Sequence, residues 1–339
     1  MKIYIPIFFI ILFSTSSIAQ EFEIPIEVLI TQGYESYQEG DFETAIAAYK
    51  NVLKVDPTST LANDQIALCY FKLGDYDHAI LYSEQVIQNN NNPKYVLSSY
   101  LTKGSSLDII GETDASIDLF KEGIERFPEN NDLHYNLAIN YFKINDDLNA
   151  EHHAMQSALL DTGYETPHLL LAHINNQQKE KIPTLLASYY FLLAQPHTKK
   201  SVEALDMVYA NFSKGTPEDA TKEGKHIGTS LNSNVEFESA ELLLSMVEAS
   251  KNIAKNKNKS EDELFTENTT SFFTILGETT KEEDDLWKGF YIPFFYKLAK
   301  SEHMETFCHY IQQSKNENSV VWLKENEQKI NAMFTWLNS

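Results

Sequence analysis

Residues Leu73–Ile80 read LGDYDHAI, and Glu39–Ile46, 34 residues earlier, read EGDFETAI. A phrase that returns at such an interval marks a structural unit copied along the chain. Aligned on it, Gly40, Gly74, Gly111 and Asn145 occupy corresponding turns, separated by 34, 37 and 34 residues. The Asn-rich stretch QNNNNP at 88–93 absorbs the three extra residues. After each turn, small and apolar side chains recur at offsets of three, four and seven. In one unit they are Phe42, Ala45, Ile46, Tyr49, Val52 and Leu53; in the next, Tyr76, Ala79, Ile80, Ser83, Val86 and Ile87. Those offsets place one stripe on a helix. Ile66, Ala67 and Tyr70, and later Leu137, Ala138 and Tyr141, give the preceding helix its own stripe. Pro57 and Pro128 end the second helix of their units, because proline lacks an N–H and clashes with the turn before it. A single helical pair cannot bury its apolar face, so the copies must stack into one continuous core.

This pattern closely resembles the tetratricopeptide repeat family, a 34-residue helix–turn–helix with a small residue in each helix and a proline near the end. Matching positions are Gly33, Ala67, Gly104 and Ala138 in the first helix and Ala45, Ala79, Ser116 and Ala150 in the second. Small side chains there let the two helices approach closely, and a leucine at Ala45 or Ala79 would overpack by about 1–3 kcal/mol. The fourth unit departs in NAEHHAMQSALL (149–160), where charge and histidine fall on part of the core face. A fifth unit is degenerate: Ala172 and Pro196 keep the spacing, but Pro183 and Thr184 replace the usual opening of its second helix. The resemblance spans 24–198 and implies an all-α helix-turn-helix solenoid of four to five units. A smaller, mainly helical domain is expected over 201–339.

The resemblance also implies a concave groove lined by the first helix of each unit, taking a protein or peptide partner. Counted from Ile26, its lining places hold Tyr34, Tyr37 and Gln38, then Asp64, Phe71 and Lys72. The third unit supplies Leu101, Ser105 and Asp108, and the fourth Tyr135, Phe142 and Lys143. Tyr34, Tyr37, Asp64, Phe71, Lys72, Ser105, Tyr135, Phe142 and Lys143 are therefore the candidate peptide-groove residues. Phe71 and Phe142 have an alternative place, packed between helices. The family's clamp for acidic peptide tails uses Asn, Lys and Arg at these places, and only Lys72 and Lys143 are basic here.

The segment 1–20, MKIYIPIFFIILFSTSSIAQ, stands apart. Lys2, an apolar run from Ile3 to Phe13 and the small residues Ser17-Ile18-Ala19 predict a signal peptide over 1–19, cleaved after Ala19. As a helix that run covers about 16 Å, half of the ~30 Å hydrocarbon core, which disfavours an anchor. Cys69 and Cys308 are the chain's two cysteines, so none follows the cut to carry a lipid. The mature chain is expected to be exported, periplasmic or secreted, soluble and not a lipoprotein. The full chain's net charge of −22 argues against nucleic acid and anionic lipid surfaces, which bind through Lys and Arg. The spacing predicts two buried thiols rather than a bridge.

Beyond Ser201 the period is lost. Val202–Phe212 reads as a short helix, 226–239 as a candidate β-hairpin around Asn232-Ser233-Asn234, Glu238–Ala254 as a helix, and KNKNKSEDE (255–263) as a charged connector. In the aromatic section 286–311, Pro293 predicts a helix, a kink and a second helix. Val320–Leu337 reads as one amphipathic helix. The acidic run KEEDD before Trp287 argues against a membrane-surface role, which needs basic flanks. A helical core capping the solenoid's end fits better. Trp287, Trp322 and Trp336 leave open an alternative carbohydrate or cell-wall binding module. Nucleophile-elbow, phosphate-loop, dinucleotide and zinc-helix motifs are lacking. His152/His153, His168/His173 and the set His303, Glu305, Cys308 and His309 lack convergent metal-ligand spacing. No catalytic, cofactor or metal residue is predicted, and no integral membrane segment after signal cleavage.

Overall fold

A computed structural model describes residues 24–89, 92–213, 237, 240, 259–281 and 283–339. The leader 1–19, the candidate hairpin at Asn232-Ser233-Asn234 and most of the Glu238–Ala254 helix lie outside the described residues. Those described form α-helices and one π-helical segment, with no strand among them.

The repeats are helical hairpins. They comprise α1 (Ile26–Glu39) with α2 (Phe42–Val55), α3 (Thr60–Leu73) with α4 (Tyr76–Asn89), α5 (Pro93–Ile109) with α6 (Thr113–Arg126), and α7 (Asn131–Lys143) with α8 (Asp147–Leu160). Each hairpin turns on a left-handed residue: Gly40 at φ 81°, Gly74 at 78°, Gly111 at 90° and Asn145 at 59°. Glycine and asparagine reach that region at least cost, so the turn residue is written into the repeat. The next helix starts on a capping aspartate in units one and four, where Asp41 accepts from the Thr44 N–H and Asp146 from that of Asn149.

The small-residue positions are close-packing points. A Cβ on Gly33 would lie 2.6 Å from the Tyr49 ring, and one on Gly104 2.4 Å from the Phe120 ring. Ala45, Ala67, Ala79, Ala138 and Ala150 are fully buried. Ser116 donates from Oγ to the Gly104 carbonyl at 2.7 Å and accepts from Asn140 Nδ2 at 2.7 Å, stitching units three and four.

A fifth hairpin follows in the same form, α9 (Glu165–Gln178) with α10 (Lys181–Ala194). Its left-handed residue is Lys179, at φ 66°. Pro183 costs little, because an N–H in the first helical turn has no partner within the helix. Then α11 (Lys199–Ser213) packs on α10 and touches α9, continuing the stack.

The C-terminal helices are α12 (Glu261–Thr279), α13 (Ile292–Ala299), α14 (Met304–Gln312), α15 (Glu317–Glu325) and α16 (Glu327–Leu337). Three expectations are corrected. The acidic end of the 255–263 connector is the start of α12: Ser260 and Glu263 form a reciprocal capping box, and carboxylates favour a helix N-terminus. The segment Leu286–Tyr291 before Pro293 is π-helical, and Pro293 sits in the first turn of α13. The closing segment is two helices, because Asn326 leaves helical geometry and its Nδ2 donates to the Trp322 carbonyl at 2.8 Å.

These helices cover the solenoid's end. Tyr189 of α10 is fully buried, with ring centroids 5.0 Å from Phe273, 6.1 Å from Phe295 and 6.1 Å from Phe307. Its hydroxyl meets Thr269 Oγ1 at 3.1 Å. His168 of α9 hydrogen-bonds the Tyr291 hydroxyl through Nδ1. Burial holds the His168 imidazole down to a pKa of about 4 and therefore neutral. One hydrophobic cluster consequently runs from Val86 through the last helix, while a second, Leu29 to Cys69, belongs to the first units.

Candidate functional site

Helices α1, α3, α5, α7 and α9 are the first helices of successive units and carry the residues predicted to line a groove. Tyr34 is 57% exposed. Tyr37 is half-buried and meets Phe42 edge-on at 5.5 Å; Phe71 does the same against Tyr76 at 5.7 Å. Tyr135 packs edge-on to Tyr164 at 5.6 Å, and burial pushes its hydroxyl up to about 12, so it is neutral. Phe142 is half-buried against the main core, Leu101 and Ser105 are half-buried, and Gln38 and Lys72 are exposed. Tyr37 and Phe71 are thus each fixed at one edge by their own helical pair, Tyr135 is fixed by the residue that opens the next unit, and the partly exposed rings keep surface on the helix. Phe71 and Phe142 take something of both expected places.

Two expected positions behave differently. Asp64 is a correction: it is 1% exposed, accepts from Ser99 Oγ at 3.3 Å and Gln65 Nε2 at 3.0 Å, and lies under the next unit rather than on the groove surface. Burial raises its carboxyl to about 6, against the lowering effect of hydrogen bonds from Ser98, Gln65 and Ser99. Lys143 is ion-paired with Asp108 of the preceding unit, so its charge is committed within the protein.

Sequence reasoning stopped short of the groove's far end. Counting the same places from Glu165 gives Thr166, Leu169, His173, Asn176 and Gln177, a signal present in the spacing. There, Asn211 Nδ2 donates to Asn176 Oδ1 at 3.1 Å, and His173 Nε2 lies 3.8 Å from Glu203 Oε1. Burial lowers the His173 pKa, and Glu203 opposes that shift. A cleft of about 420 Å³ opens between α9 and α11, lined by Asn176, Val202, Glu203, Asp206, Met207 and Ala210 together with Lys199.

The other sequence candidates are engaged elsewhere. His303 packs on Trp336 at 5.4 Å, Lys329 Nζ contacts Glu305 at 2.9 Å, and His309 hydrogen-bonds Ser319 at 3.0 Å. His153 faces His134, with Nδ1 atoms 3.0 Å apart. Cys69 and Cys308 are buried and unbridged. Among the described residues no three His, Cys, Asp or Glu side chains are placed to hold one metal ion. Trp287 is buried, and Trp322 stacks on His309 at 4.4 Å. No helix among the described residues is long and apolar enough to cross a membrane.

Comparison with known proteins places the first units among helical repeats. A family model described as TPR repeat matches residues 33–74, and one described as tetratricopeptide repeat matches 62–93. Human tetratricopeptide repeat protein 28 is 27% identical over 100 residues, which span 30% of this chain and 4% of that protein. Among solved structures, MamA is 21% identical over 55% of this chain and 94% of its own, at a TM-score of 0.42. PilF of Pseudomonas aeruginosa is 16% identical over 55% and 88%, at 0.47. YrrB, described as a TPR protein with an unusual peptide-binding site, is 12% identical over 54% and 99%, at 0.43. The described residues are helical, and the first units match tetratricopeptide repeat models over 33–93.

Proposed function

We propose that this chain is a non-catalytic, exported adaptor that binds an extended or helical segment of another protein in the groove of its first helices. The observation that carries this reading is the set of ring-bearing residues on the first helices of units one, two and four: Tyr34 and Tyr37, Phe71, then Tyr135 and Phe142, of which Tyr37, Phe71 and Tyr135 each meet another ring edge-on. Partly exposed rings along a preformed groove offer anchoring area at low entropic cost. Matching repeat models at 33–93 support it, because such repeats serve generally as protein-binding scaffolds. In this reading, 24–198 is the binding array and 201–339 closes its end. The leader over 1–19 sends the chain to the periplasm or beyond, which the N-terminal mass of the exported protein checks.

The test of binding is an affinity capture from the exported fraction with tagged residues 20–339. A parallel capture uses a Tyr34→Ser, Tyr135→Ser version whose thermal unfolding matches the parent. A partner recovered by the parent and lost by the variant is the expected result. A partner retained by both would move binding off the groove.

A further inference from the structure

The turns between the paired helices carry a second feature, unused by the groove. Residues beside the left-handed turn positions of units two to four are large aliphatics left in solvent. Leu73, Ile109, Ile110 and Ile144 are 40–49% exposed, and Leu148, across the Asn145 turn from Ile144 in the first turn of α8, is 80% exposed. The corresponding places hold Glu39 in unit one and Gln178 in unit five, so the aliphatic row is confined to three consecutive units. The Lys143–Asp108 ion pair joins the ends of α7 and α5, which sets Ile144 beside Ile109 and Ile110.

The same edge is acidic. Each turn is followed by two carboxylates: Asp75 and Asp77, Glu112 and Asp114, Asp146 and Asp147. Asp146 caps a helix, and Asp75 accepts from the His78 N–H and meets its ring nitrogen at 2.7 Å. Asp77 and Asp114 have neither role, and both are exposed with no ion-pair partner among the described residues. Exposed aliphatics inside a row of carboxylates repel two occupants at once. A second copy carries a net charge of −22, and anionic lipid shares its sign. The surface is complementary to an apolar stripe bordered by cations.

We propose that this turn edge is a docking surface for a basic amphipathic helix of a partner protein. Neighbouring helices pack about 10 Å apart, so three units present about 20 Å of edge. A helix of about 14 residues has that length. Apolar positions about seven residues apart, one per unit, would lie on Leu73, Ile110 and Ile144 with Leu148 beside the last, and Lys or Arg on either side toward the carboxylates. The surface borders the groove but uses none of its aromatic residues, and it stands whether or not the groove binds.

The test uses full-length mature protein and two labelled 14-residue helical peptides with the same leucine stripe, one flanked by lysines and one by glutamates. Anisotropy at physiological salt is expected to show saturable binding of the lysine peptide and none of the glutamate peptide. Replacing Leu73, Ile110, Ile144 and Leu148 together by Ser should weaken binding at least about tenfold. Asp77→Asn with Asp114→Asn should weaken it by about three- to tenfold and flatten its salt dependence. Tyr34→Ser with Tyr135→Ser should leave it unchanged. The proposal is overturned if the lysine peptide does not bind, if the four serines have no effect, or if the groove pair abolishes binding equally. It also fails if the parent sediments as a dimer that the four serines convert to monomer.

Discussion

At Gly104 the fold tolerates no side chain. A methyl group there would sit 2.4 Å from the Phe120 ring, itself buried between α5 and its neighbours. Gly104→Ala is expected to destabilise by about 1–3 kcal/mol through overpacking, seen as a lower urea midpoint with unchanged slope. Gly111→Ala strains the backbone instead, at φ 90° with open space around it, and should cost about 1–2 kcal/mol. Asp64 supplies a second residue-scale prediction. Its native pKa is about 6 against an ordinary 3.8, so between those values the folded chain holds more proton than the unfolded one. Stability contributed at this site therefore falls as pH rises from about 4 to about 6 and stays low above. Asp64→Asn should raise the unfolding midpoint at pH 7 and leave it nearly unchanged near pH 4. Equal shifts at both pH values would show that burial of the charge is not the cause.

At the scale of the element, the core divides where α3, α4 and α5 meet. The Leu29–Cys69 cluster ends there and the main cluster begins at Val86. Asn63, Asp64, Ser83 and Ser99 are buried at this seam, and neither Asn63 Oδ1 nor Ser83 Oγ has a hydrogen-bond partner. Such groups weaken the junction relative to apolar packing. In a solenoid, where each unit leans only on its neighbours, a weak junction sets the order of opening. Amides of α1 and α2 should exchange with deuterium well before those of α10 and α12; uniform exchange along the array would contradict this. The hairpins themselves were legible in the sequence because left-handed turns and close helix contacts leave glycine, asparagine and alanine behind. Unit five reads as degenerate because Pro183 and Thr184 replace the usual opening of its second helix, and Lys179 makes the turn there without a glycine or asparagine. The start of α12 was readable in Ser260 and Glu263, but the surrounding charge resembled a linker. The break at Asn326 depends on one side chain competing with its own backbone. Position counting picks out one face of the first helices but gives no depth, so it places Asp64 on a surface that Ser99 of the next unit covers.

For the whole molecule, the aromatic second half closes what the repeats leave open. Tyr189 and Tyr190 on α10 would otherwise end the solenoid with an apolar face. Phe272, Phe273, Phe295 and Phe307 bury Tyr189 instead, while Phe290, Tyr291 and Phe294 pack against Tyr190. With that end sealed, the groove and the acidic turn edge are the surfaces proposed for partners, on a chain whose net charge favours basic ligands. Groove binding is the central claim, and site-specific photo-crosslinking in the exported compartment tests it most directly. A photoreactive residue at Tyr34 or Tyr135 is compared with one at Glu125, exposed on the second helix of unit three. The account predicts one common adduct at both groove positions and none at Glu125. An adduct at Glu125 with neither groove position labelled would contradict it.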